Sequence, residues 1–166
     1  MVIFGIDPGI ATVGYGIILK LDNFNIKLID YGIIATPKEV SLPERLSIIE
    51  ESLNCLYQKF SPDIIAVEEL FFAKNVKTAL TVAHARGVIL LSAQKLGRPL
   101  YEYTPLQVKM ALTGYGQADK QQIQFMVKTM LNLAKPPTPD DAADALAIAL
   151  THANTSAQLN TNTIIK

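Results

Sequence analysis

Three apolar runs, separated by turns too short for anything but a reversal, constrain the first third of this chain. Val2 to Ile6 stops at Asp7-Pro8-Gly9, a second run from Gly14 to Leu21 stops at Asp22-Asn23, and a third extends from Asn25 to Thr36. Asp, Pro, Gly and Asn at those junctions supply turn chemistry. Strands joined this closely pair antiparallel, because a parallel pairing needs a crossover of roughly a dozen residues or more. A three-stranded antiparallel meander is therefore expected.

The period then changes. Ser41 precedes Pro43 and Glu44, and Leu46, Ile49, Leu53, Leu56 and Tyr57 recur at helical spacing, so a helix capped by Ser41 and boxed by Glu44 is expected to run to Phe60-Ser61-Pro62. Ile64-Ile65-Ala66-Val67 is a continuous apolar run of the kind found in a strand buried on both faces, leading into Glu68-Glu69. A long helix follows from about Val76 to Leu96, Pro99 to Tyr103 forms a last short strand, and further helices occupy the rest. Three meander strands followed by alternating helix and strand imply an α/β fold with a five-stranded mixed sheet, three antiparallel strands then parallel ones, flanked by helices. One domain over residues 1–154 is expected, with a flexible Thr/Asn/Ser-rich tail at 155–166.

Composition limits the classes of function. The chain lacks an apolar run of membrane-spanning length, and its opening Met1-Val-Ile-Phe-Gly-Ile has no basic lead, which suggests a soluble cytoplasmic protein. A single cysteine, Cys55, excludes an internal disulfide and a multi-thiolate zinc site; it is expected in the core. The formal net charge is zero, yet residues 1–69 hold 5 basic and 10 acidic side chains, residues 70–135 hold 9 and 2, and the remainder 1 and 3. A basic middle beside carboxylate-rich ends suits a protein that meets phosphates with one surface and a metal with another, although solvated helix faces produce such blocks too.

The acids carry the chemistry. Asp7 lies where an apolar strand meets Pro-Gly, at the carboxyl end where open α/β sheets place ligands, though Asp before Pro-Gly also simply opens a turn. Glu68 and Glu69 end the buried strand, and alternation allows only one of them to face a given site. In Thr138-Pro-Asp-Asp-Ala-Ala-Asp144-Ala-Leu-Ala-Ile148, Thr138 is the expected N-cap, with Pro139 at the first helical position and Asp140 and Asp141 in a first turn where the helix dipole favours acids. Asp144, embedded in Ala, Leu and Ile, has no such ordinary explanation, and it shares a helix face with Asp141. Two acids from strand ends and two from a small-residue helix would form an all-oxygen cage for Mg²⁺ or Mn²⁺, suited to phosphodiester hydrolysis. His84 and His152 fall within helical patterns and are expected to be surface or packing residues.

Gly5-Ile-Asp-Pro-Gly9 with Gly14-Tyr-Gly16 resembles the opening of the RuvC family of Holliday junction resolvases. Ala66-Val-Glu-Glu-Leu-Phe71 with Ala73-Lys-Asn75 resembles the second acidic motif of that family. Ala85-Arg-Gly87, Gln107-Val-Lys109 and Asp141-Ala-Ala-Asp144-Ala-Leu-Ala-Ile-Ala continue the likeness in order to about residue 153. The resemblance implies a ribonuclease H-like fold and an endonuclease that nicks opposed strands of a four-way junction. It makes Asp7, Glu68, Asp141 and Asp144 the catalytic, metal-binding acids, with Mg²⁺ as cofactor, Mn²⁺ as substitute and two ions per site. It implies that Lys109 and Lys120 serve DNA contact and catalysis, that Phe71 stacks on unpaired bases, and that Lys74, Lys77 and Arg86 meet phosphates. Phe72 could fill either Phe role, and each residue of this group also has an ordinary structural reading as core or solvated surface. The two-fold symmetry of a junction suggests a homodimer, and the resemblance implies cooperation with the RuvA and RuvB branch-migration proteins. Without its four proposed ligands the chain retains 15 basic against 11 acidic residues, a surface better suited to DNA than the formal charge suggests.

Two rivals make different predictions. A phosphate-binding ATPase of the actin and Hsp70 class also opens with Gly-Ile-Asp-x-Gly, but needs two such domains, and nucleotide would stabilise it. A non-catalytic junction-binding protein of the same fold would tolerate alanine at Asp7 or Glu68.

Overall fold

The computed structural model describes residues 1–22, 25–69 and 76–155. The meander forms as β1 (Val2–Asp7), β2 (Thr12–Lys20) and β3 (Ile26–Ala35), with β1–β2 and β2–β3 antiparallel. Helix α1 (Leu42–Phe60) returns the chain to β4 (Ile64–Glu68), which lies parallel to β1. Helix α2 (Val76–Leu96) then leads to β5 (Leu100–Tyr103), parallel to β4, completing a five-stranded sheet in the order β3-β2-β1-β4-β5. The remaining helices are α3 (Pro105–Thr113), α4 (Lys120–Met130) and α5 (Asp140–Thr155).

Local sequence fixes the helix ends. Ser41 caps α1 in a reciprocal box with Glu44, and Ser61 closes it in the left-handed region, as the spacing predicts. Helix α5 begins differently from the expectation. The carbonyl of Pro139 accepts from the backbone N–H of Ala142 and of Ala143, so Pro139 itself occupies the cap position and helical residues start at Asp140. Thr138 stands one residue earlier, joined to Pro139 by a cis peptide bond. Cys55 also departs from expectation: it lies on the exposed side of α1, because Ile49, Leu53 and Tyr57 supply the face that turns inward.

The sheet divides the apolar residues between two layers. Phe4, Ile6, Val13, Ile17, Ile65 and Val67 pack with α1 and α2, while Ile3, Ile18 and Ala66 pack with residues of α3, α4 and α5. This is period-two alternation along each strand. On the second face α5 lies almost on the backbone of β1 and β2, which only glycine permits: a Cβ at Gly16 would stand 2.7 Å from the Leu146 backbone nitrogen, and one at Gly5 would stand 2.8 Å from that of Ala149. Small residues on both sides thus set the height of the helix that carries Asp141 and Asp144.

Candidate active site

Alternation places the strand acids. Ile3 and Gly5 face α5, so Asp7, two residues on, belongs to the same face; Ile64 and Ala66 do so on β4, which assigns Glu68 to it and sends Glu69 to the other side. The β1–β4 register pairs Gly5 with Ala66 and Ile6 with Val67, and extending it by one residue sets Asp7 beside Glu68 at the carboxyl edge of the sheet. Glu69 is exposed. Helix α5 supplies Asp141 and Asp144 from one face, and Thr12 at the start of β2 donates its hydroxyl to Asp141 Oδ2 at 2.7 Å.

The electrostatics are those of crowded, partly buried carboxylates. Burial, followed by repulsion from Glu68, Asp144 and Asp141, pushes Asp7 up to about 8. Glu68 is raised by burial and by Asp144, and Asp144 by burial against the opposing pull of Lys120. Lys120, at the start of α4, lies 3.0 Å from Asp144 and 3.2 Å from Asp140. Its burial favours the neutral amine, but these hydrogen bonds outweigh it and hold the ammonium above its ordinary value. Beside the acids opens a cleft of about 250 Å³ whose walls include Glu68, Asp144, Lys109 and Lys120.

Among the described residues no three acidic or imidazole groups already stand as a closed metal cage. Asp141 is instead turned to Thr12, Asp144 to Lys120, and Asp7 stands within hydrogen-bonding reach of Glu68. The donor set nevertheless fits a hard divalent cation. It is all carboxylate oxygen, and it concentrates more negative charge than Lys120 neutralises, which adds to burial in raising the Asp7 carboxyl.

The other expected residues divide. Lys109 joins Lys120 at the cleft. Arg86, expected to meet phosphate, is instead ion-paired with Glu102 of β5, and both side chains are about four-fifths buried, at 22% and 19% exposure. The pairing gives the guanidinium a partner within the fold. Phe71, Phe72 and Lys74 lie outside the described residues, as does the side chain of Lys77, whose backbone falls in the first turn of α2. His84 is exposed, and His152 is a packing residue whose Nδ1 lies 2.8 Å from the Tyr103 hydroxyl. The sequence reading missed Thr12 and Glu102. The alternation Thr12, Gly14, Gly16 marked Thr12 as facing α5, and a charge within the apolar Leu100-Tyr-Glu-Tyr103 strand marked Glu102.

Comparison with known proteins matches residues 3–152 to the family model described as crossover junction endodeoxyribonuclease RuvC. The chain belongs to the RuvC family. A curated RuvC of Alkaliphilus oremlandii is 56% identical over 155 residues, covering 93% of this chain and 94% of that one. A solved Thermus thermophilus RuvC superposes with a TM-score of 0.90 at 36% identity, over 99% of this chain and 100% of that one. The structure of T. thermophilus RuvC in complex with a Holliday junction substrate superposes with a TM-score of 0.93 at 36% identity, over 99% of both chains. The five-stranded sheet is thus the RuvC fold over nearly the whole chain, including the strands and helix that carry the four acids.

Proposed function

We propose that this RuvC-family endonuclease resolves four-way Holliday junctions by metal-dependent phosphodiester hydrolysis, nicking two opposed strands symmetrically in homologous recombination and DNA repair. The observation that carries this reading is the convergence of Asp7 and Glu68 from parallel strand ends with Asp144 from α5, where burial and mutual repulsion together raise the Asp7 carboxyl far above its ordinary value.

Asp7, Glu68, Asp141 and Asp144 are the residues that would hold Mg²⁺, two ions per site, with Mn²⁺ as substitute. Bound ions of this kind activate a water and stabilise the leaving oxygen of an in-line displacement. The protein's part is to position. Thr12 orients Asp141, the glycine-backed packing of α5 fixes the height of both helix acids, and Lys109 and Lys120 border the cleft where a phosphate would lie. Lys120, 3.0 Å from Asp144 at the edge of the cleft, would be available to that phosphate if a cation took its place beside the carboxylate.

A homodimer matches the symmetry of the substrate. Its support here is an exposed stripe on α2, where Leu80 (56% exposed) and Leu91 (52% exposed) share a face with His84 and Gly87 at spacings of four, three and four. A Cβ at Gly87 would meet nothing within 4 Å, which leaves room for a second helix to approach. RuvA and RuvB are the partners that membership of the family suggests. Among the described residues no helix is long and apolar enough to cross a membrane.

The test is cleavage of a synthetic four-way junction and a matched linear duplex, with Mg²⁺ or chelator, by wild type and Asp144→Asn. Paired nicks on the junction alone, dependent on metal and lost in the variant, are expected. Junction binding without cleavage in Mg²⁺ or Mn²⁺ would instead establish a binding protein.

A further inference from the structure

Beyond the acidic cleft, on the other side of the α4 N-terminus, lies an open cavity of about 540 Å³ whose walls include Thr113, Tyr115, Asp119, Gln121, Phe125 and Met126. Asp119 borders both hollows, so this second cavity adjoins the active-site cleft. Tyr115 and Phe125 are 57% and 61% exposed, an unusual expense of aromatic surface in a chain with 12 Phe and Tyr residues in 166.

The turn that presents Tyr115 is held rigidly. The Thr113 hydroxyl reaches the Lys109 carbonyl at 2.8 Å and accepts from the Tyr115 N–H at 3.0 Å, while the Tyr115 carbonyl accepts from Ala118 N–H at 3.1 Å. Asp119 then caps α4 in a reciprocal box with Gln122. An aromatic ring fixed on such a backbone gives up little conformational freedom when a ligand stacks on it.

Charge indicates the kind of ligand. From residue 104 to 135 the chain carries Lys109, Lys120, Lys128 and Lys135 against Asp119 alone, and Asp119 is spent on its cap. Lys128 lies one helical turn beyond Phe125, and neither it nor Lys109 makes an ion pair among the described residues. Aromatic rings on the cavity wall, with Lys109 in the adjoining cleft, Lys128 a turn beyond Phe125 and the exposed Gln121 amide on the wall, match a base and its flanking phosphates better than an aliphatic protein side chain, which would leave the lysines without purpose.

We propose that the Tyr115–Phe125 cavity is a second nucleic-acid subsite, taking an unpaired nucleobase of the junction strand beyond the cleaved position, with its flanking phosphates on Lys109 and Lys128. The proposal rests on the junction-resolvase reading and adds to it a binding site that adjoins the acidic cleft without including the four acids.

The test uses the full chain and synthetic junctions with 5-iododeoxyuridine walked outward from the cleaved position, together with Tyr115→Leu, Phe125→Leu and Tyr115→Phe. Irradiation of the wild-type complex should crosslink Tyr115 or Phe125. Each Leu variant should weaken junction binding by about fivefold or more, while Tyr115→Phe keeps the wild-type affinity, because the ring and not the apolar area is needed. Wild type that neither binds nor cuts a junction would remove the resolvase reading and this subsite with it. Wild type that binds and cuts, with no crosslink at either ring and unchanged affinity in both Leu variants, would overturn the subsite alone, and would leave the cavity to a protein partner. Both positions are exposed, and melting followed by circular dichroism checks that the variants fold.

Discussion

Replacing Asp7 with asparagine should stabilise the metal-free protein while abolishing its nuclease activity. In the folded chain the Asp7 carboxyl is pushed from its ordinary 3.8 to about 8 by burial and by three neighbouring acids. At pH 7 the unfolded carboxyl is ionised and the folded one is not, so at ~1.4 kcal/mol per pH unit the linkage between 3.8 and 7 amounts to about 4 kcal/mol of destabilisation. Glu68 and Asp144 share the same repulsion, and a single neutral substitution recovers part of it, about 2 kcal/mol. The sign follows from a raised folded value. Stability is fully present below about pH 4 and is lost as pH rises through about 8, so the gain from asparagine grows across that window. For a chain of this size about 2 kcal/mol corresponds to roughly 4–8 °C in Tm. Calorimetry in chelator at pH 5, 7 and 8.5 reads this directly: wild type should melt progressively lower, and Asp7→Asn should fall less. Added Mg²⁺ should raise wild type more than the variant, since the cation replaces the missing proton. A wild-type Tm that stays flat from pH 5 to 8.5 in chelator, or a variant less stable than wild type at pH 8.5, would refute the electrostatic account of the site.

Gly16→Ala places a methyl against the Leu146 Cγ and backbone of α5, and since the backbone cannot yield alone it should cost about 3 kcal/mol and reduce junction cleavage more than junction binding, because Asp141 and Asp144 move with the helix. Arg86→Ala should lower stability by about 2 kcal/mol by stranding Glu102, yet leave the salt dependence of DNA binding unchanged; a shallower salt slope would return Arg86 to the phosphate contacts. Thr12→Val removes the hydroxyl that holds Asp141 and should cost about 1 kcal/mol while raising the Mg²⁺ concentration needed for half-maximal cleavage, and an unchanged metal midpoint would show that Asp141 needs no such support.

What the sequence by itself determined was local or periodic. Turn residues between apolar runs dictated the meander, the capping boxes fixed where α1 starts, and Asp144 among Ala and Leu betrayed an acid with no solvent-side excuse. Alternation also contained the answer to Glu68 against Glu69, but which face mattered depended on where α5 would lie. That placement was decided only by tertiary structure, through the fit of a small-residue helix onto glycines of two strands. The same holds for Arg86 and Glu102, which lie on an α2 helix and a β5 strand and carry no local sign of each other, and for the Tyr115–Phe125 cavity, made by a turn and a helix face. Periodicity reports which side of an element is apolar, because burial acts on each residue separately. Pairing of charges, crowding of carboxylates and enclosure of a cavity depend on distances between elements, and those exist only after the chain has packed.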